Sequence, residues 1–189
     1  MRIGILAVQG AFIEHEHMLT NLGCECVELR QKTDIHDLDG LILPGGESTV
    51  QGKLLHDLDM FNDIQALIAN GLPTLATCAG LILLSSAITN DANTYFATMP
   101  VTVKRNAYGR QLGSFERTDT FGALGDFTMT FIRAPYITEV ANDVEVLATI
   151  DGNIVAAKYK NQIGLAFHPE LGSDTRIHEY FIQLIQTTN

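Results

Sequence analysis

The chain has 189 residues and a mass of 20.7 kDa, so we expect residues 1–189 to form one globular domain. Apolar residue types make up 46% of the chain, which is enough to fill a core and excludes an intrinsically disordered protein. Twelve Lys and Arg residues against 22 Asp and Glu give a net charge of −10. Because phosphate backbones are also negative, this charge excludes general binding to nucleic acid.

Short apolar runs alternate with helical patterns through the first half of the chain. Strands are predicted over residues 3–8, 24–29, 40–43 and 73–77, and helices over residues 12–22, 60–69 and 80–88. Alternation of this kind predicts βαβ units. The fold class is therefore α/β, with a mostly parallel sheet flanked by helices on both faces.

The second half of the chain has a different texture from about residue 95 onward. Strand-like runs separated by short polar connections occupy residues 101–104, 128–131, 144–150, 154–159 and 163–167. They predict an antiparallel extension of the sheet, with Asp151-Gly152 as a turn between two of its strands. A closing helix is predicted from residue 174 to about residue 187, with Ile177, Phe181, Leu184 and Ile185 on one face.

Neither a membrane protein nor a secreted one is indicated. No segment approaches the roughly 18 apolar residues of a membrane span. The apolar start of the chain is brief and lacks a signal-peptide cleavage site, so it is interpreted as a buried strand. Cys24, Cys26 and Cys78 are odd in number and have no disulfide-framework spacing. We therefore expect a cytoplasmic protein without membrane association.

Cys78 lies where a predicted strand turns directly into a helix. With Ala76 and Gly80 on either side, the segment has the form of a nucleophile elbow, G-x-S-x-G with Cys in place of Ser. The small neighbours allow the sharp turn that presents the side chain above the sheet. Taken alone, the segment is also compatible with a buried structural cysteine.

His168 and Glu170 follow the last predicted strand, separated by Pro169. Residues two apart in an extended chain point the same way, so the imidazole and the carboxylate share a face. A carboxylate that orients an imidazole is half of a catalytic triad, and Cys78 would supply the nucleophile. On its own, His-Pro-Glu is also an ordinary loop.

A glycine-rich segment, Pro44-Gly45-Gly46-Glu47-Ser48-Thr49, follows the third predicted strand. Glycines let backbone N–H groups approach a substrate closely, as an oxyanion hole requires. A phosphate-binding loop is excluded, because the spacing to Gly52-Lys53 is one residue too long and Leu54 replaces Ser or Thr. A glycine turn in which Ser48 caps a following helix remains an alternative.

Two further groups of polar residues have alternative interpretations. Arg105 lies in a short basic stretch, and Arg133 lies in an apolar run. An arginine within an apolar run usually has an anionic partner, here either a structural acid or a substrate carboxylate. The run Glu14-His15-Glu16-His17 lacks the i, i+4 histidine pair of a helical zinc site. We interpret it as a solvated helix face and expect no metal.

These segments together resemble the class I (triad) glutamine amidotransferases over nearly the whole chain. The elbow and His-Pro-Glu are common to that class. Two more segments narrow the resemblance to the glutaminase subunits of pyridoxal phosphate synthase: Arg105-Asn106-Ala107-Tyr108-Gly109-Arg110-Gln111 and Phe131-Ile132-Arg133-Ala134-Pro135. Ala76, where the class usually has Gly, and Tyr108, where the family often has Phe, depart from the pattern without removing a reactive group.

The resemblance implies a flavodoxin-like fold and hydrolysis of L-glutamine without a metal or other cofactor. Cys78 would be the nucleophile, His168 the base and Glu170 its orienting partner. The resemblance also implies a set of glutamine-binding positions, namely Gly46, Glu47, Ser48, Arg105, Ile132 and Arg133. It further implies a barrel-shaped synthase subunit as partner, which would use the ammonia to make pyridoxal phosphate.

Two alternatives remain open at this point. An amidotransferase subunit that serves another acceptor, such as one in histidine biosynthesis, would carry the same triad. A binding module on the same fold would have lost catalysis, although the intact Cys78, His168 and Glu170 argue against it.

Overall fold

The computed structural model describes residues 1–89, 91–107 and 113–188, and its centre is a large mixed sheet. The strands in chain order are β1 (Arg2–Leu6), β2 (Glu25–Leu29), β3 (Gly40–Leu43), β4 (Thr74–Thr77), β5 (Ser85–Ile88), β6 (Met99–Lys104), β7 (Ser114–Thr120), β8 (Asp126–Ile132), β9 (Tyr136–Val140), β10 (Glu145–Ile150), β11 (Asn153–Tyr159) and β12 (Gln162–Leu165). The helices are α1 (Phe12–Asn21), α2 (Ser48–Asp57), α3 (Phe61–Ala69), α4 (Ala79–Leu84) and α5 (Arg176–Thr188).

Five parallel strands form one half of the large sheet, in the order β2-β1-β3-β4-β12. Every residue of β3, β4 and β12 is buried, as expected for strands covered on both faces. The carboxyl ends of these strands lie at one edge of the sheet. Loops at that edge are where ligands bind in doubly wound folds.

The antiparallel extension predicted for the second half of the chain is present. β12 pairs antiparallel with β11, and the sheet continues through β9 and β6 to β5. β10 and β11 form the predicted hairpin, with Asp151 and Gly152 at positive φ in its turn. β7 and β8 form a separate two-stranded sheet.

The structure corrects several predicted elements. The helix predicted over residues 80–88 ends at Leu84, and the rest of that apolar run is the strand β5. β7 and β9 were not predicted, because the exposed residues of β7 and the polar Thr138 and Glu139 of β9 weaken the strand pattern. The predicted run 163–167 belongs to both halves of the sheet, since β12 is parallel to β4 and antiparallel to β11.

No helix among the described residues is long and apolar enough to cross a membrane.

Gly80 lets α4 pack against the backbone of β3. A Cβ atom added at this position would lie 2.1 Å from the carbonyl oxygen of Leu43. We therefore predict that Gly80→Ala lowers the free energy of unfolding by about 1–3 kcal/mol, because backbone must shift to relieve the overlap.

Urea denaturation at neutral pH would measure this loss. Gly172→Ala is the matched control, since a Cβ there would meet no described atom closer than 3.8 Å and Gly172 is not at positive φ. Equal stability of the two variants would contradict the packing role of Gly80.

Candidate active site

Cys78 occupies a strained turn between β4 and α4. Its backbone has φ 49° and ψ −100°, a conformation that residues other than glycine rarely adopt. Such strain is retained mainly at functional sites, where it sets the direction of a side chain. The Cys78 side chain is almost fully buried, and its Sγ lies 3.9 Å from the carbonyl oxygen of Ile132. The geometry is that of the predicted nucleophile elbow.

His168 reaches Cys78 because their strands are neighbours. Leu165 at the end of β12 pairs with Thr77 at the end of β4, so the segments that follow leave the sheet side by side. His168 and Glu170 are both buried, and His168 Nδ1 lies 2.6 Å from Glu170 Oε1. The structure therefore brings the three predicted triad residues together in the order nucleophile, imidazole and carboxylate.

The electrostatics of the site favour a charged imidazole. Burial alone would lower the pKa of His168, but hydrogen bonds with Cys78 and Glu170 outweigh it and raise the pKa to about 10. Burial would likewise raise the pKa of Glu170, but the nearby His15 and the hydrogen bond with His168 keep it below its ordinary value. At neutral pH, His168 therefore carries its proton and Glu170 is ionised.

The glycine segment packs directly on the imidazole. A Cβ atom added to Gly45 would lie 2.2 Å from His168 Cε1, so only glycine fits there. Two glutamines that sequence reasoning did not assign to the site fix this segment: Gln9 Oε1 accepts a hydrogen bond from Glu47 N, and Gln51 Nε2 donates to Pro44 O. Ser48 does not cap α2, and its buried Oγ has no hydrogen-bond partner among the described residues.

A cavity of about 260 Å³ opens above Cys78 at the carboxyl edge of the sheet. Eight of the predicted site residues line it, namely Gly46, Glu47, Ser48, Cys78, Arg105, Ile132, Arg133 and His168. A larger cavity of about 460 Å³ contains none of them. Three of the polar side chains that line it, Gln65, Asn161 and Gln162, already hydrogen-bond to the protein. The smaller cavity is therefore the candidate site.

The two predicted arginines differ in their environment. Arg105 contacts two carboxylates, with Nη2 3.0 Å from Glu47 Oε1 and Nη1 3.4 Å from Asp91 Oδ2. Arg133 is exposed at positive φ and forms no ion pair within the described part of the chain. The remainder of the predicted motif, from Tyr108 to Gln111, lies outside the described residues.

The prediction of a solvated face for residues 14–17 is wrong for His15. This residue is fully buried, and His15 Nε2 lies 3.4 Å from Glu170 Oε2, while its Nδ1 lies 2.9 Å from Nε2 of the buried His178. A signal was available, because His15 shares its helical spacing with the apolar Phe12 and Leu19. Within residues 1–89, 91–107 and 113–188, no group of three or more acidic, Cys or His side chains could hold a metal ion.

The fold and the geometry of the candidate site are typical of a glutamine amidotransferase, and the comparisons with known proteins support that class. The model of the SNO glutamine amidotransferase family matches residues 5–187. The chain is 64% identical to the pyridoxal 5′-phosphate synthase subunit PdxT of Desulfitobacterium hafniense (strain DSM 10664 / DCB-2), over 98% of this chain and 94% of that one. It is 55% identical to the subunit of the same name from Methanocorpusculum labreanum, over all of both chains.

Comparison with solved structures supports the same fold. One described as a glutamine amidotransferase superposes with a TM-score of 0.92 at 38% identity, covering 97% of this chain and 98% of that one. PurLQS from Thermotoga maritima superposes with a TM-score of 0.72 at 15% identity, covering 99% and 97%, and supports the fold alone. The chain therefore belongs to the SNO glutamine amidotransferase family. The predicted fold class, family and glutaminase activity are confirmed.

The raised pKa of His168 gives a test of the site. Below pH 6.5 the imidazole is protonated in both the folded and the unfolded chain, so its stabilising contribution is complete there. That contribution is lost as the pH rises through about 10, where the folded chain also releases the proton. We predict that Cys78→Ala lowers this pKa, because the hydrogen bond with the sulfur is removed.

A titration of the His168 ring nitrogens by 15N NMR would measure both pKa values. Cys24→Ala removes another buried cysteine and should leave the His168 titration unchanged. A wild-type His168 that titrates near its ordinary value of 6.5 would contradict the hydrogen bonds of the imidazole with Cys78 and Glu170.

Proposed function

We propose that the protein hydrolyses L-glutamine to L-glutamate and ammonia as the glutaminase subunit of a pyridoxal 5′-phosphate synthase. The observation that supports this most directly is the buried alignment of Cys78, His168 and Glu170, the first two of which line one cavity. The relatives described above are subunits of pyridoxal 5′-phosphate synthase, which supports the assignment to that complex. The 189 residues would act as one domain, in the cytoplasm.

The chemistry would run in two halves. The Cys78 thiolate attacks the side-chain amide carbon of glutamine, and the C=O electron pair moves onto oxygen. The His168 imidazolium donates its Nε2 proton to the amide nitrogen, the C–N bond breaks, and ammonia leaves a γ-glutamyl thioester. Neutral His168 then takes a proton from water, the resulting hydroxide attacks the thioester, and the thiolate departs. Glu170 would keep the ring oriented in both halves.

Backbone donors would stabilise the oxyanion formed in each half. Ala79 is the first residue of α4, so its N–H has no partner within the helix, and it directly follows the nucleophile. Gly46 lines the opposite side of the cavity. Because Glu47 N–H already donates to Gln9, Gly46 is the donor that the glycine segment would offer.

The polar groups at the cavity mouth match the charges of free glutamine. Its α-carboxylate would bind Arg133, whose guanidinium has no ion-pair partner in the described part of the chain, with Arg105 next to it. Its α-ammonium would bind the Glu47 carboxylate. The unpartnered Ser48 Oγ and the backbone of Ile132 would hold the chain between these ends.

A synthase partner would dock over the carboxyl edge of the parallel strands. Three exposed apolar side chains lie around that edge: Ile13 at the start of α1, Val50 at the start of α2, and Ile132 at the cavity itself. Exposed apolar groups near one opening are typical of interfaces. A partner seated there would receive ammonia directly from the cavity, and a barrel-shaped subunit is the one that the family resemblance implies.

We predict that Cys78→Ala lowers glutamate release from glutamine by at least about a thousandfold, because no other group in the cavity can form the thioester. The assay would use the protein assembled with a pyridoxal phosphate synthase subunit. Cys26→Ala is the matched control and should keep wild-type activity, since Cys26 lies on β2 away from the cavity.

The same assay separates the alternatives. Equal activity of wild type and Cys78→Ala would contradict the nucleophile. No release by the wild-type complex would indicate a binding module without catalysis. Co-purification with a synthase of a different pathway would indicate another acceptor for the ammonia.

We also predict that Arg133→Met raises KM for glutamine roughly tenfold to a hundredfold with little change in kcat, because a charge-assisted contact to the α-carboxylate is lost. Steady-state kinetics in the complex would measure it. Arg117→Met, which removes an exposed arginine on β7 outside the cavity, should leave KM unchanged. An unchanged KM in Arg133→Met would exclude this residue from glutamine binding.

A further inference from the structure

Two buried histidines lie behind the triad, and the mechanism above uses neither of them. His15 comes from α1 and His178 from α5, at opposite ends of the chain, and both are fully shielded from solvent. His15 Nδ1 lies 2.9 Å from His178 Nε2, and His15 Nε2 lies 3.4 Å from Glu170 Oε2. The triad carboxylate is therefore the end of a longer buried chain of polar groups.

The contacts select one arrangement of protons on these rings. Burial lowers the pKa of both histidines, to about 3 for His178, so both are neutral and each carries one N–H. Suppose first that His15 carries its proton on Nδ1. Its Nε2 lone pair would then face the carboxylate of Glu170. His178 would carry its proton on Nδ1, a buried nitrogen with no partner among the described residues.

The reverse arrangement satisfies every N–H. His178 Nε2–H donates to His15 Nδ1, and His15 Nε2–H donates to Thr77 Oγ1 at 3.3 Å, with Glu170 Oε2 3.4 Å from the same nitrogen. Only the His178 Nδ1 lone pair is then left unpaired, which costs less than a buried N–H facing nothing. His178 thus sets the tautomer of His15.

Glu170 depends on the nearby His15 because only one of its two carboxylate oxygens accepts a hydrogen bond from the described residues. Oε1 meets His168 at 2.6 Å, whereas Oε2 is buried with no hydrogen-bond partner in the described part of the chain. The His15 N–H is the positive end of a dipole at 3.4 Å from that oxygen. Without it, burial of the charge would favour rotation of the carboxylate or uptake of a proton.

We propose that His15 is a positioning residue that holds the Glu170 carboxylate in the orientation that aligns His168, and that His178 fixes the His15 tautomer. This inference rests on the triad proposed above. His15 does not touch the reacting atoms. It affects the rate by keeping the contact between Glu170 Oε1 and His168 Nδ1 short. That contact keeps the imidazole directed at the Cys78 sulfur and at the leaving nitrogen of the substrate.

The test compares His15→Leu with His15→Gln in the assembled synthase, because a glutamine amide retains an N–H that can lie near Glu170 Oε2. We expect His15→Leu to lower kcat roughly tenfold to a hundredfold with KM changed less than about twofold. His15→Gln should recover most of the loss. The downfield proton resonance of His168 Nδ1–H should move in His15→Leu and return toward its wild-type position in His15→Gln.

His17→Leu is the matched control, since it removes an exposed histidine from the same helix and should leave kcat unchanged. Circular dichroism and urea denaturation would establish that each variant is folded. If His15→Leu does not fold, His15→Phe, which retains a ring without a donor, takes its place in the comparison with His15→Gln.

Glu170→Gln separates this inference from the triad itself. In that background, His15→Leu should lower kcat much less than in the wild type, because the two changes remove one shared interaction. Wild-type kcat in His15→Leu, equal losses in the Leu and Gln variants, or an undiminished loss in the Glu170→Gln background would each overturn the role of His15. Wild-type kcat in Glu170→Gln alone would instead overturn the triad.

Discussion

The parallel pairing of β4 with β12 is the constraint on which the site depends. These strands are far apart in sequence, and their register places Thr77 beside Leu165, so the next turns of the chain deliver Cys78 and His168 to one point. A shift by one residue would turn every side chain of β12 to the other face. Because both strands are buried on both sides, the core specifies this register strongly. The geometry of the proposed triad therefore follows from packing that involves none of its three residues.

Burial has opposite effects on the members of this site. It shields Cys78 and His168 from bulk water and strengthens their hydrogen bond, but it also penalises the charge on Glu170. That penalty is offset on both sides of the carboxylate, by His168 at one oxygen and by His15 near the other. The ionised carboxylate is thus stable only as part of a set whose members come from α1 and from the segment that follows β12. Removal of one member affects the charge state of the others.

The sequence predicted the parts of the molecule that local patterns determine. Local properties of the sequence predict three features. Runs of apolar residues predict the buried strands, small neighbours predict the elbow at Cys78, and the spacing of two residues predicts the pairing of His168 with Glu170. The helical spacing of His15 with Phe12 and Leu19 signalled its burial, but its contact with His178 was not predictable, because that contact joins α1 to α5, at opposite ends of the chain. β5 was hidden for a related reason: the mostly apolar segment from Gly80 to Ile88 does not show where a helix ends and a strand begins.

The glycine segment links substrate binding to the triad. Gly45 contacts the His168 ring so closely that no Cβ fits between them, while the next residues, Gly46 and Glu47, face the cavity. Any movement of this segment toward or away from substrate must therefore also press on or release the imidazole. Gln9 and Gln51 hold it from the other side. One short stretch of backbone therefore fixes the position of His168 relative to Gly46, the expected oxyanion donor. When His168 is aligned with the substrate, Gly46 is aligned as well.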